Sequence, residues 1–386
     1  MTWSREIELG ELMPQEGRSS INPADYPDEA FELLSIPAYD KGAAEIALGS
    51  EIGSTKQVVQ PGDVLLSKIV PHIRRAWVVE ASAGSRQIAS SEWIVFRSKE
   101  ADARYLRHFL LSDGFHRKFM QTVSGVGGSL LRARPKYVAK IKAPLPPLKE
   151  QRRIAAILDK AQDMSRKSQL SCALASSLIE SEMIRRFGRP GDSQAHSRLL
   201  SLVEAGVSVI DCPHSTPKWT DEGRVCLRTS NLGKGDWIWH DTRRISDNDF
   251  QERSRRAPLE HGDIVLSREG TVGIAAIVTS DMDVCMGQRL VQLKLDARHL
   301  TPEYLLAQLL YLLKPERISH AMTGSTSKHI NVKDLRELKI SCPPIEEQSA
   351  FDNFCKQTKK MRARIALLEK NSEILSRSIQ AASFCS

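Results

Sequence analysis

The sequence predicts an α+β fold with an internal pseudo-two-fold duplication: two mixed, strand-rich domains separated by an antiparallel pair of long helices. The segment Pro-Pro-x-x-Glu-Gln occurs twice, and its final residues, Gln151 and Gln348, are 197 positions apart. A helical pattern without Gly or Pro follows each copy, up to Gly188 in the first case and to Ser386 in the second. The predicted boundaries are 1–146 for the first domain, 147–188 for the first long helix, 189–343 for the second domain and 344–386 for the second long helix.

Short β-branched or aromatic runs predict the strands of the first domain. They are Val64–Leu66, Trp77–Val79 and Ile94–Phe96, and each is bounded by turn-forming residues. Apolar residues at helical spacing then predict helix from Tyr105 to Met120, with a break near Gly114. A Gly/Ser loop at 124–129 follows, and basic residues come directly after it.

The second domain repeats this plan. Gly262-Asp-Ile-Val-Leu-Ser267 matches Gly62-Asp-Val-Leu-Leu-Ser67, and a polar loop at 323–329 occupies the place of the earlier glycine stretch. Gly324 lies 197 positions after Gly127, so both loops stand at the same distance before the long helices. Further strands are expected at 274–278 and 290–295, with a helix at 304–313.

The long helices carry their own start and stop signals. Acidic residues follow each Pro pair, where the positive end of a helix dipole favours them, and Gly188 with Pro190 ends the first helix. A seven-residue repeat predicts two interleaved sets of positions that form one heptad seam on each helix, and we expect the seams of the two helices to pack on each other. In the second helix they are Phe351, Thr358, Ile365, Ser372 and Ile379, with Phe354, Met361, Leu368, Leu375 and Ala382. In the first they are Ile154, Ala161, Ser168, Ala175 and Glu182, with Ile157, Met164, Ser171, Leu178 and Arg185.

Composition limits the function classes. The net charge of +8 favours a polyanionic partner, although basic proteins without a nucleic-acid role are common. Seven Cys without a CxxC pair and ten scattered His argue for reduced thiols and against a metal site. The chain opens with polar residues and has no apolar run near the roughly 20 residues that cross a bilayer, which predicts a cytoplasmic protein without a membrane partner.

No motif in the sequence predicts a catalytic residue. The glycine stretch at 124–129 has neither GxxxxGK[ST] nor GxGxxG spacing, and we find no (N/D)PP(Y/F) methyltransferase tetrad. Glu337-Leu-Lys339 contains the Glu-x-Lys spacing of some nucleases, but the matching segment of the first half, Val138–Lys142, has no carboxylate. An ordinary solvated surface is therefore the better interpretation.

The repeated Pro-Pro-x-x-Glu-Gln segments with long helices, each closing a domain that contains a Gly-Asp-(Ile/Val)-(Val/Leu)-Leu-Ser segment, resemble the specificity subunit of type I restriction-modification enzymes. Asp211–Lys218, followed by Arg228–Asn231, also resembles the opening of a target recognition domain of that family. The resemblance covers nearly the whole chain. It implies a non-catalytic subunit that binds double-stranded DNA sequence-specifically, in a system for DNA methylation and phage defence.

The resemblance also implies partners. Each target recognition domain is expected to read one half of a bipartite DNA target, while the helices set the spacing and dock two methyltransferase (M) subunits. Motor-nuclease (R) subunits join through the complex. S-adenosylmethionine, ATP and Mg²⁺ are expected on these partner subunits, and no cofactor is expected in this chain.

Candidate DNA-binding residues are those able to contact phosphates or base edges near the matched loops. They are Lys68, Arg74, Arg75, Ser129, Arg132, Arg134 and Lys136 in the first half, and Ser215, Thr216, Lys218, Arg228, Asn231, Arg268, Thr326, Ser327, Lys328 and His329 in the second. The loops at 124–136 and 323–331 are the favoured clusters, because they combine Gly, hydroxyl groups and cations at matched positions. Two alternatives remain open: a coiled-coil adaptor that binds protein without DNA readout, and an enzyme with an unrecognised site.

Overall fold

The computed structural model describes residues 5–14, 20–82, 84–125, 131–192, 198–318 and 329–384. The chain divides into two compact units, Met1–Gln169 with Leu367–Ser386, and Leu170–Ala366. Each unit contains one strand-rich domain and one stretch of both long helices. The predicted α+β class with two long helices is confirmed, while the domain boundaries given above stay a prediction.

The first unit holds a five-stranded sheet in the order β2-β5-β8-β3-β4, a three-stranded sheet β7-β6-β9 and the pairs β1-β12 and β10-β11. The strands are β1 Glu6–Glu8, β2 Ser20–Ile21, β3 Ala30–Leu34, β4 Glu45–Leu48, β5 Lys56–Val58, β6 Val64–Ser67, β7 Ala76–Val78, β8 Arg86–Ala89, β9 Trp93–Phe96, β10 Val123–Ser124, β11 Arg132–Ala133 and β12 Lys142–Pro144. The helices are α1 Ile36–Lys41, α2 Ala103–Leu111, α3 Asp113–Met120, α4 Pro135–Val138 and α5 Leu148–Phe187, with 3₁₀ turns at Leu9–Leu12, Pro23–Asp25 and Gly49–Glu51.

The second unit holds a four-stranded sheet β14-β20-β17-β18, a three-stranded sheet β16-β15-β19 and the pair β13-β21. The strands are β13 Arg198–Ser201, β14 Ser208–Asp211, β15 Arg224–Leu227, β16 Arg243–Ile245, β17 Ile264–Ser267, β18 Ala275–Ile277, β19 Val284–Met286, β20 Leu290–Lys294 and β21 Lys339–Cys342. The helices are α6 Asp247–Ser254, α7 Pro302–Leu312, α8 Pro315–Ile318, α9 Val332–Arg336 and α10 Ile345–Phe384, with a 3₁₀ turn at Thr229–Asn231.

The matched Gly-Asp segments form equivalent central strands. Strand β6 lies between β7 and β9, and β17 lies between β18 and β20, with every pairing antiparallel. All four residues of β6 and of β17 are buried. At the end of each strand the same turn forms, because Ser67 Oγ donates to Ile69 O and Ser267 Oγ donates to Glu269 O, both at 3.1 Å.

The predicted break in the helical stretch of the first domain is confirmed. It falls at Ser112, between α2 and α3, two residues before Gly114. The reason is a helix cap: Ser112 has an extended backbone and its hydroxyl accepts from Phe115 N at 3.3 Å, which starts α3. Gly114 lies inside α3.

Within each unit the long helices run antiparallel. In the first unit Ser372 Oγ donates to Ala161 O at 3.0 Å and Gln169 Nε2 donates to Glu369 Oε1 at 2.8 Å. In the second unit the rings of Phe187 and Phe351 meet edge to face, 5.7 Å between centroids. These contacts place the end of α5 beside the start of α10, as an antiparallel pair requires.

Only half of the predicted heptad pattern faces inward. The seam through Phe351, Thr358, Ile365, Ser372 and Ile379 is buried or half-buried, as is its counterpart on α5. In the interleaved seam Met361, Leu368 and Leu375 are exposed, and so are Met164 and Leu178 of α5. The long helices do pack on each other, as expected, but they do so through the first set of heptad positions and not through the interleaved set. The first seam of α5 consists mainly of small residues, so the helices meet along a narrow line and the wider apolar stripe remains outside.

A buried glutamine joins the start of α5 to the first domain. Gln151 Oε1 accepts from Asp102 N at 2.7 Å, and Nε2 donates to Glu100 O at 2.9 Å and to Pro146 O at 2.8 Å. The side chain thus forms hydrogen bonds both with the loop before α2 and with Pro146, two residues before the long helix begins. We call this arrangement the glutamine clamp.

The second half repeats the glutamine clamp atom for atom. Gln348 Oε1 accepts from Thr301 N at 3.0 Å, and Nε2 donates to His299 O and Pro343 O, both at 2.9 Å. The last residue of Pro-Pro-x-x-Glu-Gln is therefore a structural residue in both halves.

The helix that follows the clamped loop, α2 in the first half and α7 in the second, is capped differently in the two halves. In the first half Asp102 caps α2 itself, with its carboxylate accepting from backbone N–H groups of the first turn. In the second half the carboxylate comes from α10: Asp352 Oδ1 accepts from Tyr304 N at 3.1 Å and from Thr301 Oγ1 at 2.6 Å. Burial raises the pKa of Asp352. Because Ala155 occupies the matched position on α5, only α10 supplies a cap in this way.

The glutamine clamp predicts a large stability effect. Substituting Gln348→Ala removes a buried side chain and leaves Thr301 N, His299 O and the buried Pro343 O without this partner, so we expect a loss of roughly 2–4 kcal/mol in the free energy of unfolding. Chemical denaturation monitored by circular dichroism measures it. The matched control is Gln357→Ala, an exposed glutamine on the same helix, which we expect to change stability by less than about 0.5 kcal/mol. Equal effects of the two substitutions would contradict the clamp.

Candidate nucleic-acid interface

The turn after β6 meets the basic loop of the first half. Ala133 N donates to Lys68 O at 2.8 Å, and Ile69 forms an isolated β-bridge with Arg132. Residues more than 60 positions apart are thereby brought side by side. This contact places Lys68 next to the basic segment that follows the Gly/Ser loop.

An open groove lies along this contact and is lined largely by cations. The basic residues that line it are Lys68, Arg132, Arg134, Lys136 and Lys140, and Ser124 and Tyr137 line it as well. Arg134 is held in place because Nε donates to Ser124 Oγ at 2.7 Å and the guanidinium lies over the Tyr137 ring, 5.6 Å from its centroid. The groove is thus suited to an anionic ligand.

A carboxylate at the turn between β8 and β9 holds two of these cations. Glu92 Oε1 lies 3.2 Å from Arg132 Nη2, and Oε2 lies 3.9 Å from Lys68 Nζ. Lys68 Nζ also donates to Ser91 O at 2.7 Å. Glu92 reduces the repulsion between the neighbouring positive charges and orients them.

The second half builds the same contact from matched segments. Ile330 N donates to Arg268 O at 3.0 Å, and Glu269 forms an isolated β-bridge with His329. Arg268 is mostly buried, with Nε 3.2 Å from Asp211 Oδ1 and Nη1 3.3 Å from Glu269 Oε1. The predicted residues Arg268 and His329 therefore lie together, as Lys68 and Arg132 do.

The segment after β14 is tied to the same place. Gln288 Nε2 donates to His214 O at 2.8 Å, and Arg253 Nη2 donates to Ser215 O at 2.5 Å. Ser215, Thr216 and Lys218 are exposed. Arg253 acts here as a support for the loop, since its guanidinium is engaged with the backbone.

Comparison with known proteins identifies the family. Residues 5–170 and 221–370 match the family described as Type I restriction modification DNA specificity domain. The chain belongs to this family. It is a specificity subunit and not a catalytic subunit of a type I restriction-modification system, which confirms the resemblance stated above.

Individual relatives agree in sequence and in fold. The Type I restriction enzyme MjaVIII specificity subunit of Methanocaldococcus jannaschii is 23% identical over 264 residues, which is 61% of this chain and 61% of that relative. A structure solved in work on complex assembly and conformational transition of the type I R-M system is 22% identical, with 98% of this chain and 97% of that chain covered and a TM-score of 0.59. The crystal structure of the type I S subunit from M. genitalium has a TM-score of 0.60 at 10% identity, covering 99% and 96%. The structural likenesses show a shared fold.

Several predicted residues of the specificity subunit have their polar atoms engaged within the protein. Arg75 is buried and forms a two-pronged ion pair with Asp40 at 2.7 and 2.8 Å, which lowers the pKa of that carboxyl. Arg74 pairs with Asp113 at 2.7 Å, away from the groove lining. These contacts serve the fold, and we leave both arginines out of the proposed DNA surface.

In the second half Asn231 is fully buried. Its Oδ1 accepts from Arg228 N at 2.9 Å, and its Nδ2 donates to Ile238 O and Asp241 O at 3.1 and 3.2 Å. Arg228 is half-buried and its Nη2 pairs with the carboxylate of Asp241. Asn231 therefore shapes the loop after β15 and offers no exposed surface to a base.

Other predicted residues lie outside the described part of the chain. These are Ser129, Thr326, Ser327 and Lys328, together with the loop glycines Gly127, Gly128 and Gly324. Their role in DNA binding stays a prediction.

The structure adds three residues that the sequence prediction missed. Tyr137 and Lys140 line the basic groove, and Arg289 lies beside Arg268. Tyr137 and Lys140 follow Arg134 at intervals of three residues, which was an available signal. Arg289 had none, because its neighbours come from distant parts of the chain.

The described ranges contain neither a clustered metal site nor a membrane-spanning helix. Within them no cluster of three or more His, Cys, Asp or Glu side chains is arranged to hold a metal ion. No helix in this part of the chain is long and apolar enough to cross a membrane. The six Cys residues described are free thiols.

Burial of Asn231 predicts a stability effect in place of a binding effect. Substituting Asn231→Ala removes the partner of three backbone groups, so we expect the free energy of unfolding to fall by about 1–3 kcal/mol. Thermal or denaturant unfolding measures the change. Asn248→Ala, on the exposed surface of α6, is the control and should have little effect. An unchanged unfolding midpoint for Asn231→Ala would reopen a direct role in DNA contact.

Proposed function

We propose that this specificity subunit binds double-stranded DNA and that each of its two domains reads one half of a bipartite target. The observation that carries the proposal is the matched construction in both halves. In each, a basic residue at the end of the central strand, Lys68 or Arg268, lies against the segment that follows a Gly/Ser loop. A duplication that keeps this contact supports two equivalent ligand sites.

The exposed cations of the first half suit a DNA backbone. Arg132, Arg134, Lys136 and Lys140 lie along one open groove. Phosphate contacts by Lys and Arg supply most of the sequence-independent affinity for DNA, while base-edge contacts by Arg, Lys, Ser, Thr or His supply specificity. The second half offers the second kind of residue in larger number, with Ser215, Thr216 and Lys218 exposed beside the cluster.

A comparison of two exposed lysines in the first half tests whether the basic groove contacts the DNA backbone. Substituting Lys136→Ala in the assembled complex should weaken binding to every duplex by about 1 kcal/mol and reduce the salt dependence by about one charge. Electrophoretic mobility shifts over a range of salt concentrations measure both quantities. Lys41→Ala is the control, since Lys41 is also an exposed lysine in a short helix. Equal losses for the two variants would remove the groove from the DNA surface.

The long helices set the distance between the two DNA halves. Helix α5 has 40 residues, so it is about 60 Å long at 1.5 Å per residue. Such a length exceeds what a small domain needs for its core, and it supports a role as a spacer. The spacer in the DNA target then follows from helix length.

Exchanging one domain, or lengthening the long helices, tests whether the domains read the target and the helices set its spacing. Replacing the second domain, 189–343, by that of another specificity subunit should change one half of the target only. Adding one heptad to each helix lengthens it by about 10 Å, close to three base pairs, and should lengthen the spacer while both halves stay the same. Sequencing of methylated adenines reads the target of each variant. A domain exchange that altered both halves would contradict independent readout.

The outer faces of the long helices support partner docking. In the second unit Leu170, Leu174 and Leu178 are each about half exposed or more and follow one face of α5. In the first unit Leu367, Leu368, Ile374 and Leu375 of α10 are also exposed. Apolar stripes of this extent are typical of protein interfaces. Two methyltransferase subunits, which carry S-adenosylmethionine, dock on these helices. Motor-nuclease subunits with ATP and Mg²⁺ join through the complex.

A charge placed in the apolar stripe should block assembly. Substituting Leu174→Glu buries an unpaired carboxylate at the interface, so we expect at least a tenfold loss of methyltransferase capture with an unchanged melting temperature. Size-exclusion chromatography with light scattering measures complex formation. Ile46→Glu alters an equally exposed aliphatic residue on β4 and should leave assembly intact. The helices would have no docking role if both variants assembled normally.

The adaptor function is the second candidate, and one experiment separates it. A mobility-shift assay of the assembled complex on a pool of random duplexes should enrich one bipartite sequence. Binding without any sequence enrichment, or no salt-sensitive binding, would favour a coiled-coil adaptor that binds protein without DNA readout.

A further inference from the structure

Arg289 stands where the candidate segments of the second half converge. It is the last residue of the turn from β19 into β20, and its carbonyl oxygen accepts from Arg268 N at 3.1 Å. The neighbouring Gln288 is bonded to His214 O at 2.8 Å. Since Arg268 O in turn accepts from Ile330 N, this turn contacts both other segments that contain predicted DNA residues.

The side chain of Arg289 is exposed but held from one side. Its surface is 63% accessible, compared with 13% for Arg268. Arg289 Nε lies 3.6 Å from Glu269 Oε2, while the other oxygen of Glu269 lies 3.3 Å from Arg268 Nη1. Among the described residues no hydrogen bond from Nη1 or Nη2 of Arg289 is seen. The carboxylate thus holds one edge of the guanidinium and leaves the other edge for a ligand.

The backbone of Arg289 has a conformation that long side chains rarely adopt. Its φ is +67°, in the left-handed region that favours glycine. Strained positions of this kind concentrate at ligand-binding sites, where the surrounding structure fixes them. The bonds of Gly287 N to Leu227 O at 2.8 Å and of Arg268 N to Arg289 O fix this turn.

The first half contains the same arrangement of a glutamate beside an exposed arginine, but the two residues occupy different positions in the repeat. The position that matches Arg289, 197 residues earlier, is Glu92, which has the opposite charge. There Glu92 is the carboxylate, and the exposed guanidinium that it holds is Arg132, 58% accessible at 3.2 Å. Each half thus presents one exposed arginine, held by a less exposed glutamate, at the contact between its strand end and its loop.

A guanidinium that is fixed along one edge is suited to guanine. The two parallel N–H donors of its other edge match O6 and N7 of guanine in the major groove, the commonest specific contact between proteins and DNA. A lysine is a point charge and lacks this planar fork. We infer that Arg289 reads a guanine in the second half of the target and that Glu269 is its positioning residue, with Arg132 and Glu92 in the corresponding roles in the first half. This inference rests on the proposed DNA readout.

The test uses the specificity subunit assembled with its methyltransferase subunits. A randomised duplex pool first identifies the target of the unaltered complex, and duplexes with every single base-pair change are then compared. The variants are Arg289→Asn, since Asn tolerates a positive φ, Arg289→Lys, Arg132→Asn and Glu269→Gln. Arg298→Asn is the control, because Arg298 is an exposed, acid-paired arginine beyond the other end of β20. Thermal unfolding verifies that each variant folds.

The expected result is a change confined to one base pair. Arg289→Asn and Arg289→Lys should reduce the preference for guanine at one position of one half roughly 5- to 150-fold, which corresponds to about 1–3 kcal/mol. Arg132→Asn should do so in the other half only. Glu269→Gln should relax the position read by Arg289 to a smaller degree, and Arg298→Asn should change no position.

Other results would overturn the inference. Uniform weakening on all duplexes with a lower salt dependence would show that Arg289 contacts phosphate. Unchanged preference in every Arg289 variant would remove it from the interface. An unaltered complex without any sequence preference would instead refute the proposed DNA readout itself, so the two failures are distinguishable.

Discussion

The glutamine clamp is the interaction on which the placement of both long helices depends. The side chains of Gln151 and Gln348 are buried, and each bonds three backbone groups, because its amide offers one acceptor oxygen and two N–H donors. The preceding Pro pair suits a helix start, where N–H groups have no helical partner. Each clamp fixes the direction in which a helix leaves its domain. The seam within each unit depends on that direction.

The basic surfaces depend on a second constraint, which is repulsion between neighbouring cations. Each half meets it with one glutamate, Glu92 or Glu269, although these residues do not occupy matched positions. Backbone contacts between strand end and loop have been kept through the duplication, whereas side-chain charges have been exchanged. The two halves thus share a backbone framework and differ in the side chains that it presents.

The long helices divide their apolar residues between two uses. Small residues on α5, such as Ala161 and Ala175, allow close approach to α10 along the inner seam. The second seam, with Leu178 and Leu375, stays outside. The end of each helix also packs into a domain core, since Phe187 of α5 lies in the core of the second unit and Phe384 of α10 in that of the first. Apolar surface therefore remains exposed on both helices.

The sequence by itself determined the duplication, the two long helices, the central strands and the family, because repeats, periodicity and caps are local signals along the chain. It also named Lys68 and Arg268 as candidates, whereas the contacts of these residues with the segments at 132–133 and 329–330 emerged only from the structure. Only the tertiary structure decided which candidates face outward. Asn231 is buried, and Arg289, in the turn before β20, forms an ion pair with Glu269. Burial and ion pairing depend on neighbours far away in the sequence, which no local pattern specifies.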